Sequence, residues 1–187
     1  MADIIEFNSL PAKTQTYLNR LSVLVTGVVP IETKSWKFTT DELQPNTDPP
    51  SITAEVAKWA GKDFVYLYVI HLTTGRIDLS KIREVFSKAK STKKNGRAYP
   101  RLNNESSLCF YVGSCSTDMQ QRLKQHLGYG AKDTYALQLA HWANSYPLEL
   151  EFRCAKYRSG LAPEVYQALE DMLWIELSPM FGRKGRR

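Results

Sequence analysis

Cys109-Phe110-Tyr111-Val112-Gly113, followed by Arg122-Leu123-Lys124-Gln125-His126, is the stretch on which the reading of this chain turns. The first part is a β-type run that stops at a glycine, and Leu108 to Gly113 is predicted as a strand. Thr117 or Asp118 then caps a helix, on which Arg122 and His126 stand four residues apart and share a face. One surface therefore carries a phenol, a permanently charged guanidinium and an imidazole. Such groups suit chemistry on a phosphate, with donors for its oxygens and an acceptor for a proton of the attacking water.

The neighbouring segments alternate between strand and helix signals. Asp63 to Leu72 is rich in Val, Ile and Tyr and reads as a strand closed by Thr73-Thr74-Gly75. Asp78 or Ser80 caps a helix running to about Ala89. After it, Asn95-Gly96 and Pro100 mark a loop. Downstream, Gly128 and Gly130 break the Arg122 helix. Thr134 to Ala143 is expected to be helical, and Leu148 to Ala155 alternates as a half-buried strand does. Pro163 opens a final helix, where its missing N–H costs nothing. The apolar stripe Val165, Leu169, Met172, Leu173 and Leu177 follows, and Pro179 ends it. The first third reads as an accessory region. Pro11 to Val25 has helical periodicity closed by Gly27, and Pro30 to Pro50 is expected to be mostly loop. Ser51 to Ala60 reads as a short helix with Gly61 as its C-cap.

A length of 187 residues suits one domain, or one domain with an embellishment, and 43% hydrophobic content supplies a core. No apolar run reaches the roughly 20 residues of a membrane helix, and the acidic start Asp3-Ile4-Ile5-Glu6 is unlike a secretory leader. Cys109, Cys115 and Cys154 are odd in number and lack CxxC spacing, so a reducing cytoplasm is the expected setting. The net charge is +6, and its distribution matters more than its size. Val85 to Asn104 holds no acidic residue but contains Lys88, Lys90, Lys93, Lys94, Arg97 and Arg101, with Tyr99 among them. The tail Arg183-Lys184-Gly185-Arg186-Arg187 is also basic. The first run is expected to contact a phosphate backbone.

The chain resembles the GIY-YIG nuclease superfamily in the order of its motifs. Phe64-Val65-Tyr66 stands in place of the first triplet and Tyr111-Val112-Gly113 in place of the second. Arg122 matches the arginine of the next helix, and His126 a histidine found one turn later in restriction-enzyme members. Glu170, nine residues before Pro179, matches the metal-binding glutamate of the last helix. There are departures: Phe64 replaces a glycine, Gly182 stands where many members have asparagine, and Ser114 where many have lysine, so the phosphate-facing charge would come from Lys124 or the basic loop. Within Tyr66-Leu67-Tyr68 either tyrosine can be the first signature residue; Tyr66 is preferred because a β-branched residue precedes it.

With these elements the resemblance implies an α+β fold (α/β mixed), a small central antiparallel or mixed sheet flanked by helices. Residues 1–61 would form an accessory region and 62–187 the nuclease-like domain, with an insertion at about 76–106. The implied activity is hydrolysis of DNA phosphodiesters with one Mg²⁺ or Mn²⁺ on Glu170. Tyr66, or Tyr68, would act in proton transfer, helped by His126; Arg122 would neutralise charge on the phosphate; Tyr111 would hold a phosphate oxygen or the water. A restriction-type enzyme acting on double-stranded DNA as a homodimer or tetramer is the first expectation. A repair or mobile-element nuclease, an RNA nuclease and a non-enzymatic nucleic-acid-binding module are the rivals. Each residue also has an ordinary role open to it: a strand tyrosine most often packs, and a lone helical arginine most often pairs on the surface.

Overall fold

The computed structural model describes residues 7–73, 77–92, 96–103 and 107–185. Lys93, Lys94, Asn95, the Thr74-Gly75 turn and the Arg186-Arg187 end lie outside the described residues. The fold is α+β: among the described residues, a four-stranded antiparallel sheet with five α-helices. The helices are α1 (Leu10–Thr26), α2 (Ser51–Trp59), α3 (Leu79–Ser91), α4 (Met119–Leu127) and α5 (Pro163–Leu177). The strands are β1 (Glu32–Thr39), β2 (Phe64–Leu72), β3 (Cys109–Cys115) and β4 (Glu149–Arg158), in the spatial order β1-β4-β2-β3. None of the described helices is long and apolar enough to cross a membrane.

Strand β2 sits inside the sheet and is buried along nearly its whole length. That is why it reads as a continuous apolar run rather than an alternating one. Tyr66, Tyr68, Ile70 and Leu72 point to one face, where they join Trp36, Phe38, Leu150 and Phe152 from β1 and β4. This face is closed by Ile52 and Val56 of α2, Ile82 and Phe86 of α3, and Met119, Leu123 and Leu127 of α4. The opposite face of β2 and β3 is covered by α5. Helix α1 lies against α5 and buries none of its residues fully.

Two of the helix starts behave as the capping residues dictate. Asp78 accepts hydrogen bonds from the N–H groups of Ser80 (2.9 Å) and Lys81 (3.2 Å), and Asp118 accepts from Gln121 (2.9 Å). Gly128 ends α4 at φ +105°, the left-handed region that glycine enters without penalty.

Three expectations are amended. The 30–50 segment, loop over most of its length as expected, also holds an unanticipated strand, Glu32–Thr39, which pairs with β4. Only Trp36 and Phe38 point into the core, so a polar edge strand carries just two apolar markers. The sheet therefore includes residues from both sides of position 61. Gly61 does not cap α2, whose C-cap is Ala60 in extended conformation. Its N–H instead donates to the Tyr66 hydroxyl (2.9 Å), and that hydroxyl donates back to its carbonyl (2.9 Å).

Third, 134–143 is not a regular helix but a series of turns ending in a short 3₁₀ segment, Leu139–His141. Gln138 is left-handed at φ +57°. Its side chain accepts from Arg97 (2.9 Å) and donates to the carbonyls of Thr134 (3.2 Å) and Ala131 (3.3 Å). Backbone groups that a helix would satisfy through its own ladder are served here by side chains, Gln138 and Trp142 within the segment and His126 from α4.

Candidate active site

The site forms around one edge of the sheet. Strand β3 is an edge strand, and its beginning is covered: Met180 N–H donates to Cys109 O (2.8 Å) and Phe181 N–H to Phe110 O (3.0 Å). Past Phe110 the chain turns away at Gly182, φ +110°. A Cβ on Gly182 would sit 3.2 Å from the Tyr111 ring, so the turn packs tightly against that ring. Tyr111, Gly113 and Ser114 then follow on the strand. Because side chains alternate across a strand, Tyr111 and Gly113 face α4 while Ser114 faces α5.

On the α4 side, Tyr68 lies directly opposite Gly113. A Cβ at position 113 would stand 2.5 Å from the Tyr68 hydroxyl oxygen and 2.7 Å from Cζ. The glycine is thus the space in which that phenol ends. Arg122 reaches over from α4 and binds both tyrosines: its Nε donates to Tyr68 Oη (2.8 Å) and its Nη2 to Tyr111 Oη (3.2 Å). Its remaining arm donates to Gln125 Oε1 (2.9 Å). The two phenol rings lie nearly parallel, 6.3 Å between centroids. His126, one turn on, packs its ring 4.4 Å from that of Tyr111 and hydrogen-bonds Tyr68 Oη through Nε2 (2.9 Å).

The tautomer of His126 follows from its other nitrogen. Leu137 N–H points at Nδ1 (3.3 Å), and an N–H can only donate, so Nδ1 accepts. A neutral ring then carries its proton on Nε2 and gives it to Tyr68. The Tyr68 oxygen receives two donors, Arg122 and His126. The histidine is therefore a donor to Tyr68 and not an acceptor of its proton.

Burial sets the protonation states. His126 is fully buried and held well below the ordinary histidine value, first by desolvation and then by the Arg122 charge. Desolvation also raises Tyr68 and Tyr111, opposed in each by Arg122; Glu170 pushes Tyr111 further up. A consequence for stability follows. Below about pH 6.5 the unfolded chain binds a proton on His126 that the native state refuses, so stability falls as the pH drops. The slope from this one group approaches about 1.4 kcal/mol per pH unit. His71, also lowered by burial, adds its own part. Replacing His126 with Gln should flatten the decline in melting temperature between pH 7 and pH 5; an unchanged slope would contradict the assignment.

On the α5 side, Ser114 Oγ donates to Glu170. Glu170, half-buried on α5, lines a cavity of about 350 Å³ with Ser114, Thr117, Tyr111, Arg122 and Arg183. Tyr111 and Arg122 also line a second cavity of about 700 Å³. Tyr68 and His126, each 0% exposed, line neither.

Of the residues singled out in the sequence, Tyr68, Tyr111, Arg122 and His126 form one network, and Glu170 shares a cavity with Tyr111 and Arg122. Tyr66 is not part of it: its hydroxyl is satisfied by Gly61 at the other end of β2. Between the two candidates, Tyr68 is the tyrosine at the site. Lys90 and Arg101 line the larger cavity; Lys88 and Lys124 line neither. Arg97 is committed to the Gly130 carbonyl (3.4 Å) and to Gln138, so it holds a loop together. Arg183 and Tyr135 line the cavities without having been singled out. Arg183 was legible as part of the basic tail, whereas Tyr135 was assigned to a helix that does not form.

Compared by family model, by sequence with characterised proteins and by shape with solved structures, the chain matched nothing in any of the three searches.

Proposed function

We propose that the protein is a phosphodiester hydrolase acting on double-stranded DNA, of the GIY-YIG type that its motifs resemble. The observation that carries this is the convergence of Tyr111, Arg122 and the Ser114–Glu170 pair on one cavity at the uncovered part of the β3 edge. The guanidinium and phenol offer donors to phosphate oxygens, with a single carboxylate facing them.

Among the described residues no group of three or more His, Cys, Asp or Glu is gathered for a metal. One carboxylate beside hydroxyls suits Mg²⁺ or Mn²⁺ all the same, because Mg²⁺ keeps several waters and is often completed by substrate phosphate. Held by Glu170, such an ion supplies Lewis-acid stabilisation of charge on the phosphate and on the departing oxygen. The protein does the rest. Arg122 neutralises charge on the phosphate and is fixed in place by its bonds to Tyr68, Tyr111 and Gln125. Tyr111 holds a phosphate oxygen or the attacking water. Tyr68 and His126 act as positioning residues beneath them. A cut through both strands needs two such sites, and we propose a homodimer or tetramer working in the cytoplasm.

Full burial of Tyr68 and His126 favours a second reading. The two residues expected to carry the proton transfer do not reach the cavity, as in a nucleic-acid-binding module that does not cut. Incubation with supercoiled plasmid separates the readings. Discrete products that require Mg²⁺ support a site-specific nuclease of restriction, repair or mobile-element type, and smearing supports a non-specific one. A Mg²⁺-independent gel shift without products supports binding alone. A labelled RNA in parallel decides the nucleic acid.

A further inference from the structure

The larger cavity, of about 700 Å³, falls within the range of roughly 300–1,000 Å³ usual for small-molecule sites. It shares Tyr111, Arg122 and Arg183 with the cavity at Glu170, so a ligand can run from one to the other. Lys90, Arg101, Arg122 and Arg183 all line it, and among the described residues no carboxylate does. Gathering four cations without a counter-charge is unfavourable until an anion enters. Lys90 registers the crowding: after burial, the charges of Arg183 and Arg101 hold its ammonium below the ordinary lysine range.

An anion by itself does not call for aromatic walls, yet Tyr99, Tyr111 and Tyr135 contribute three phenol rings. The Tyr99 hydroxyl is buried with no hydrogen-bond partner among the described residues. Tyr135 stands 71% exposed. A ring so exposed does little for the fold and is open to a planar partner. Its place is held from behind, where Arg97 and Gln138 tie the loop to the body of the protein.

We propose that this cavity receives one unstacked nucleotide of the DNA substrate, its phosphates among Lys90, Arg101 and Arg183 and its base on the ring of Tyr135. The inference rests on the hydrolase reading, which places a phosphate of the same strand in the adjoining cavity. It adds that the duplex is locally opened there, with one base read as a stacking surface.

The test uses thymidine 3′,5′-bisphosphate and its tetrahydrofuran analogue, which has both phosphates and no base, titrated calorimetrically into the full-length protein in EDTA. Wild type should bind the base-bearing ligand roughly 5- to 150-fold tighter, the usual worth of a base on an aromatic ring. Tyr135→Ala should abolish the preference and Tyr135→Phe retain it. Arg101→Ala should weaken both ligands alike. The proposal is overturned by wild type that binds the two equally or binds neither, by a preference that survives in Tyr135→Ala, or by Arg101→Ala that changes nothing. Plasmid cleavage by the same samples in Mg²⁺ reads the hydrolase proposal separately. Cutting without base preference sinks only the nucleotide pocket; base preference without cutting sinks only the hydrolase.

Discussion

Glu170→Gln should leave the protein folded and bound to DNA but lower Mg²⁺-dependent cleavage at least about a thousand-fold, matching the several kcal/mol that Lewis-acid stabilisation is worth. Glutamine keeps the shape of the side chain and an acceptor for Ser114 Oγ, so the packing of α5 on β3 has no reason to change. What disappears is the negative charge that would hold a cation. DNA affinity in EDTA should hold or rise slightly, because a carboxylate is removed from a surface that meets phosphate. Single-turnover cleavage, a gel shift in EDTA and a melting curve check the three parts. Cleavage at the wild-type rate would remove Glu170 from the site.

Gly113→Ala should be damaging out of proportion to one methyl group. The added Cβ would lie 2.5 Å from the Tyr68 oxygen, 2.7 Å from its Cζ and 3.0 Å from the Tyr111 ring. Tyr68 is fully buried against Phe152 and His126 and has nowhere to retreat without losing its bonds to Arg122 and His126. Overpacking of this kind costs about 1–3 kcal/mol, and each kcal/mol lowers the melting temperature by roughly 2–4 °C for a chain of this size. Cleavage should fall by about a hundred-fold, as displacement of a positioned group by an ångström does. Gly27→Ala is the control. A Cβ there meets nothing within 4 Å, and its backbone is ordinary at φ −96°. Equal behaviour of the two variants would mean that the space at Gly113 does not matter.

Much of the fold was legible because its signals are local. The caps at Asp78 and Asp118, Gly128 at the end of α4, and Pro163 and Pro179 around α5 each act within a few residues of themselves. Strand β1 was not, because an edge strand needs only Trp36 and Phe38 on its buried side and leaves Glu32 to Ser35 exposed. The turns of 134–143 were invisible for a different reason. Their partners are Arg97 and His126, distant in sequence, while the segment's own apolar spacing imitates a helix.

The choice between Tyr66 and Tyr68 was beyond the sequence in principle. Two residues apart on a strand, they share a face and differ only in what stands alongside. Pairing of Tyr68 with Gly113, and the position of α4 across that pair, made the selection. Arg122, Tyr111 and Glu170 were readable because motif order brought them together before any geometry did. The bonds of Arg97 to Gly130 and Gln138 were not legible, because a cation in a basic run looks the same whether it faces phosphate or a carbonyl.

The split of the site across β3 also has a consequence in time. Tyr111, Arg122 and His126 follow one another closely, and Tyr68 precedes them, so the arginine half is complete in sequence once α4 has been made. Glu170 comes far later, on the last helix, and meets Ser114 only when α5 settles on β2 and β3. A domain generally folds as a unit, so the two halves of the site join only when its core closes. On the proposed chemistry, the arginine and the cation-holding carboxylate would face one cavity only after α5 has docked. A copy whose α5 is undocked would thus lack the carboxylate of the proposed site.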